Sequence, residues 1–99
     1  MVILPEAERD IAQSYSWYEE QEFGLGEAFL RCVDACFQTI RRNPKMYQVT
    51  HENYRRAVVR HFPYAVFYEY SEMVVLIYAV FHCSQDPQKW RSRLPQEVT

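Results

Sequence analysis

Arg60, His82, Tyr78 and Arg56 are the residues of this chain whose types best suit chemistry. Histidine exchanges a proton near neutral pH, and arginine neutralises a phosphate that is gaining charge. Together with Tyr78 and Arg56, the pair Arg60 and His82 could bind RNA and cut it by attack of its own 2′-hydroxyl. That reaction uses a base, an acid and a cation, and no metal. The same residues could equally close the polar face of a sheet and do nothing catalytic. His51 and Glu52 lie just upstream and offer a further general base.

A second group is defined by charge. Residues 1–40 hold eight acids and two arginines, whereas residues 41–60 hold Arg41, Arg42, Lys45, Arg55, Arg56 and Arg60 against Glu52 alone. The basic stretch could track a phosphate backbone, with Tyr47, Tyr54 and Tyr78 as stacking faces, or meet an acidic protein. The net charge of -2 weighs against nucleic acid, because most such binders are basic. Trp17-Tyr18 suits the core and rim of a helix better than a binding box.

These residues need elements to hold them. Val2-Ile3-Leu4 suits a short strand ended by Pro5. Ala7, Ile11, Tyr15 and Tyr18 share one helix face. Pro5 fits the first helical position, and Glu6, Glu8 and Asp10 suit the first turns. Gly24-Leu25-Gly26 breaks this helix. A second is expected from about Glu27, with Phe29, Val33, Cys36, Phe37 and Ile40 as its apolar stripe. Arg41 and Arg42 fill its last turn, and Asn43-Pro44 stops it. The short glycine turn predicts an antiparallel helical hairpin.

The remainder predicts strands at about 54–60, 64–70 and 74–82, joined by short turns and therefore antiparallel. Alternation divides them into two faces. Ala57, Val59, Val66, Tyr68, Val75, Ile77, Ala79 and Phe81 form the face that should seat the helices. Tyr54, Arg56, Val58, Arg60, Ala65, Phe67, Glu69, Leu76, Tyr78, Val80 and His82 form the other. Beyond His82, Asp86 suits a helix cap and Pro87 a first helical residue. Gln88 to Arg93 would form a single turn. Trp90 would anchor this tail on the sheet, placing Arg91 and Arg93 near its edge.

The chain predicts one α+β domain spanning residues 1–99. With 48% hydrophobic and 24% charged residues it has the composition of a globular domain, and its 16% aromatics argue against disorder. It has no apolar run near the ~20 residues of a membrane span, and no secretory signal is visible, so a cytoplasmic location is expected. The odd count of three cysteines argues against a disulfide framework. Cys32 and Cys36 share a helix face and read as packed thiols, and no metal or other cofactor is expected. The chain has no glycine-rich phosphate loop, no His-Glu-x-x-His and no Gly-x-Ser-x-Gly.

Trp17-Tyr18-Glu19, Gly24-Leu25-Gly26, Phe29, Asn43-Pro44, Tyr54-Arg55-Arg56-Ala57, Phe62-Pro63-Tyr64-Ala65-Val66-Phe67-Tyr68, Ala79-Val80-Phe81-His82, and Asp86-Pro87 with Trp90 and Arg93 follow one another in an order that closely resembles toxins of the RelE/ParE superfamily. These are the toxin halves of type II toxin–antitoxin modules, often called plasmid stabilisation proteins. The resemblance implies a helical hairpin on an antiparallel sheet. RelE-like members cut messenger RNA on the ribosome without a metal, whereas ParE-like members poison DNA gyrase. The Trp-Tyr, Gly-Leu-Gly and Phe-Pro-Tyr signatures place this chain nearer the ParE-like branch. Arg60 matches the strand arginine of the nucleases and His82 the histidine of some of them. Cys83 stands where those carry a tyrosine, and only Lys45 comes near their lysine-rich stretch.

The resemblance also implies an antitoxin whose extended or helical tail wraps the toxin. Arg41, Arg42, Arg55, Arg56, Tyr54, Trp90, Arg91 and Arg93 are the candidate surface for that partner or for the target. Arg60, His82 and Tyr78 are catalytic candidates only under the ribonuclease reading. The favoured expectation is a gyrase-poisoning toxin. A ribosome-dependent endoribonuclease is the alternative, and a non-toxic binding module is a third.

Overall fold

The computed structural model describes residues 1–85 and 92–94. Helix α1 (Pro5–Gln21) opens on proline, with Glu6 and Glu8 in its first turn. Proline's missing N–H costs nothing there, and the two acids face the positive end of the helix dipole. Glu22 donates its N–H to the Tyr18 carbonyl, and Gly24 then turns the chain at φ 87°. That left-handed conformation is one glycine adopts without strain.

Helix α2 (Leu25–Arg42) starts two residues before the expected Glu27. Gly26 therefore lies inside its first turn rather than in the break. A Cβ there would sit 2.8 Å from the Tyr15 ring and 2.9 Å from the Tyr15 carbonyl, so the glycine is what lets the helices approach. The start of α2 is capped from outside. One carboxylate oxygen of Glu19, on α1, accepts the N–H of Gly24 at 3.1 Å and of Gly26 at 2.9 Å. This satisfies donors that a helix start leaves open and puts negative charge at its positive end. Glu19→Ala is expected to cost about 1–2 kcal/mol, the usual size of a lost cap. Urea unfolding would show it as a lowered midpoint with an unchanged slope.

The sheet runs β1 (Val2–Ile3), β5 (Val74–His82), β4 (Tyr64–Ser71), β3 (Tyr54–Val58), β2 (Val49–His51). Strands β3 to β5 form the expected antiparallel meander and β2 extends it, but β1 lies parallel to β5, so the sheet is mixed. The hairpin β2–β3 was not expected. Its turn is Glu52-Asn53, with Glu52 at φ 50°, so His51 closes a strand. Strand β3 stops at Val58, short of the expected residue 60. His61 adopts φ 70° there and turns the chain back.

A β-bulge corrects the face assignment. Phe67 pairs with Ala79, but Tyr68 pairs with Ile77, so Tyr78 is an extra residue on β5. An extra residue shifts the alternation by one. Ala79 and Phe81 therefore leave the helix side, and Val80 and His82 join it. The helix-side core contains Ala7, Phe29, Val33, Cys36, Phe37 and Ile40 packed on Ala57, Val59, Val66, Tyr68, Val75, Ile77 and Val80. The opposite face is not left free. Tyr54, Ala65, Phe67, Ala79 and Phe81 form a second core there, closed by Leu94 at 2% exposure.

The C-terminal segment is also held by charge. Arg93 reaches both carboxylate oxygens of Asp10, at 3.2 and 2.9 Å, and its guanidinium lies 5.0 Å from the centre of the Phe81 ring. Trp90, Arg91 and most of the expected turn at 88–93 lie outside the described residues.

Candidate functional site

Arg60, His82 and Tyr78 do not share a face. Val59 donates its N–H to the Tyr64 carbonyl at 2.8 Å, and Tyr64 pairs with His82. Arg60 and His82 thus stand near the same end of the sheet, on either side of β4. Two strand spacings separate their backbones by about 10 Å. Between them stands Tyr64, whose ring meets the His82 ring edge-on at 5.2 Å. His82 faces a shallow aromatic pocket with Trp17, Tyr18 and Pro63. Its Nδ1 accepts the Ser84 N–H at 3.1 Å, which leaves the proton of the neutral ring on Nε2. Tyr78 lies on the opposite face, edge-on to Tyr54 at 5.0 Å. Burial, followed by the charge of Glu69, raises its phenol above the usual range. A phenol so shifted is a weaker proton donor.

The expected binding residues separate in the same way. Arg55 donates to the carbonyls of Tyr47, at 2.6 Å, and Lys45, at 3.3 Å. With the Tyr68 hydroxyl on the Pro44 carbonyl at 2.6 Å, it ties the connection after α2 to the sheet. Arg55 is thus a structural residue. Burial pushes the Tyr68 phenol up to about 12, against the opposing pull of Arg55. Arg56 pairs with Phe67, and Tyr54, at 4% exposure, is buried in the second core. Burial first, then Tyr78, pushes the Tyr54 phenol up to about 12. Arg93 is engaged by Asp10.

Arg41 and Arg42 remain exposed at the end of α2 beside Gln38. From there a groove of about 360 Å³ runs between α2 and the end of β3. Arg31, Cys32, Ala35, Cys36, Thr39 and Arg42 supply its helical wall, and Tyr47, Val58, Arg60 and His61 the other. Arg31 was missed among the candidates. Its spacing to Ala35, Thr39 and Arg42 is the helical signal that would have found it. Burial raises the Cys36 thiol to about 11, so at neutral pH it is a packed, protonated group and not a nucleophile. Among the described residues no cluster of three His, Cys, Asp or Glu could hold a metal ion. No described helix is long and apolar enough to cross a membrane.

The model of the ParE toxin of type II toxin–antitoxin systems matches residues 1–87. The chain belongs to the ParE toxin family. No curated protein gives a significant match to it. The protein is therefore the toxin component of a type II module, and membership implies an antitoxin partner. The helical hairpin on its sheet agrees with that family's fold.

Proposed function

We propose that this toxin inhibits growth by poisoning DNA gyrase and that a cognate antitoxin neutralises it. The observation that carries the choice of target is the separation of Arg60, His82 and Tyr78. Metal-free RNA cleavage needs its base, acid and cation around one phosphate, within hydrogen-bond reach. Here one of the three groups occupies the far face of the sheet, and the other two lie on either side of β4, Arg60 lining the groove beside α2 and His82 packed on Tyr64. Membership of the ParE family supports the same choice.

The test is induction of the chain with and without the neighbouring reading frame, scored for DNA-damage signalling and for transcript cleavage. The expected result is filamentation and damage signalling, relieved by the neighbouring product. Arg60→Ala and His82→Ala should each leave toxicity within about threefold of the parent, because neither group would act on a phosphate. Codon-linked transcript cuts that either substitution abolishes would establish the ribonuclease reading instead. Normal growth on induction of the lone chain would leave a binding module without toxicity.

A further inference from the structure

A chain of aromatic rings runs from α1 to the end of β5. Trp17 meets Tyr18 edge-on, with ring centres 5.0 Å apart and planes at 82°. Tyr18 lies 6.0 Å from Tyr64 at 61°, and Tyr64 lies 5.2 Å from His82 at 75°. These four rings and Pro63 line an open hollow of about 490 Å³. Steeply inclined rings turn faces as well as edges toward a shared space, and an aromatic face carries the negative part of the ring's quadrupole. Two of the walls are fixed before anything binds. Tyr18 packs against Phe29 and Phe62, at 5.3 and 5.0 Å, and Tyr64 against Phe29 at 5.0 Å. Trp17, by contrast, is 55% exposed, so its ring contributes little to the core.

The charges around the rings favour a cation. No arginine or lysine lines the hollow. Trp17 also borders a neighbouring hollow, with Gln13, Ser16 and Glu20. Glu20 stands three residues beyond Trp17 on α1, a spacing that puts both on one helix face. It is exposed and has no ion pair or hydrogen bond among the described residues, whereas Glu19 is occupied by the start of α2. Helix α1 as a whole carries Glu6, Glu8, Asp10, Glu19 and Glu20 against Arg9 alone. An exposed indole beside an unpaired carboxylate suits a guanidinium in particular. That group stacks flat on an aromatic face and offers parallel N–H donors to a carboxylate. An ammonium is a more strongly hydrated point charge and has no flat face to stack.

We infer that the hollow formed by Trp17, Tyr18, Tyr64 and His82 is a docking site for an arginine side chain presented by a basic segment of a partner protein. The guanidinium would lie on the Trp17 indole, where the two hollows meet, and donate to the Glu20 carboxylate. Its methylene stem would cover Tyr18 and Pro63. The preset angles of Tyr18 and Tyr64 would spare part of the ordering cost of binding. The site stands on the other side of β4 from Arg60 and asks for the opposite charge in its partner. The inference goes beyond the proposed function and does not rest on it.

The experiment titrates the isotope-labelled full chain with a short capped peptide holding one arginine among glycines, followed by NMR through the amide and indole N–H resonances. A saturable shift centred on Trp17 and Tyr64 is expected, with a Kd of about 1–10 mM, the strength of one stacked and paired side chain. Citrulline in place of arginine keeps the shape without the charge and should bind about fivefold more weakly or worse. Lysine should bind about threefold more weakly. Trp17→Leu should weaken the arginine peptide about fivefold, and Glu20→Gln about threefold. Both side chains are exposed, so unchanged resonances of core residues should show that each variant is folded. Absence of a saturable shift up to about 20 mM peptide would overturn the proposal. So would equal binding of the citrulline or lysine peptide, full affinity in both variants, or shifts spread along the acids of α1 with no focus at Trp17. None of these outcomes bears on toxicity, which the induction experiment reads separately.

Discussion

Phe29→Ala is expected to destabilise the toxin by about 3–5 kcal/mol, the cost of emptying an aromatic core site. Phe29 is fully buried on α2. Its ring centre lies 5.3 Å from that of Tyr18 on α1, 5.4 Å from Phe62 and 5.0 Å from Tyr64 at the start of β4. It therefore joins both helices, the turn after β3 and the sheet. Alanine would remove the transfer free energy of the ring and leave a cavity whose walls come from three segments, α1, α2 and the stretch from Phe62 into β4. Such walls collapse poorly, because each is held by its own backbone. Domains of this size have about 5–15 kcal/mol of total stability, so the variant would retain a small margin or none. Urea unfolding should show the loss as a lowered midpoint with an unchanged slope. Phe29→Leu, which keeps most of the volume, should cost less than half as much. Equal losses in the two variants would mean that the ring contacts, and not the filled volume, stabilise this site.

Asp10→Ala is expected to cost about 2–3 kcal/mol and to loosen the C-terminal segment first. Asp10 has 13% of its side chain exposed and Arg93 30%. The carboxylate holds Arg93 through two hydrogen bonds, and one of its oxygens also accepts the N–H of Val80 at 3.1 Å. Val80 follows the bulge at Tyr78, and β1 pairs only with Leu76 and Ile77, so the Val80 N–H faces an edge with no strand beyond it. Alanine would leave a guanidinium and a backbone donor without their acceptor. Breaking a fully buried pair costs about 3–5 kcal/mol, and the partial exposure of Arg93 brings the figure lower. Asp10→Asn keeps an acceptor for Val80 and should lose less. Amide exchange should rise at Val80 and around Arg93 and Leu94 before it rises in α2. A uniform rise across the domain would show that Asp10 supports the whole fold and not the tail.

The helices were legible because their signals are local. Proline at the start of α1, the glycine after it, the stripe from Phe29 to Ile40 and Asn43-Pro44 each act within a turn or two of chain. The three long strands were legible for the same reason, and so was the order of motifs shared with the toxin family. The bulge was not. Both sides of β5 carry apolar residues, so one extra residue leaves no break in the pattern, and only pairing with β4 reveals it. That one residue moved His82 to the helix side and dissolved a trio that alternation had placed together.

Charge shows the same division. Sequence alone determined that residues 41–60 are basic, that helices precede a meander and which residues line α2. It did so because composition and short-range periodicity belong to the chain itself. Tertiary structure decided which cations remain available: carbonyls of the connection after α2 took Arg55, Asp10 took Arg93, and Arg31 joined Arg42 and Arg60 around the groove. Those outcomes depend on groups far apart in sequence being brought within hydrogen-bond distance, and packing alone sets that distance.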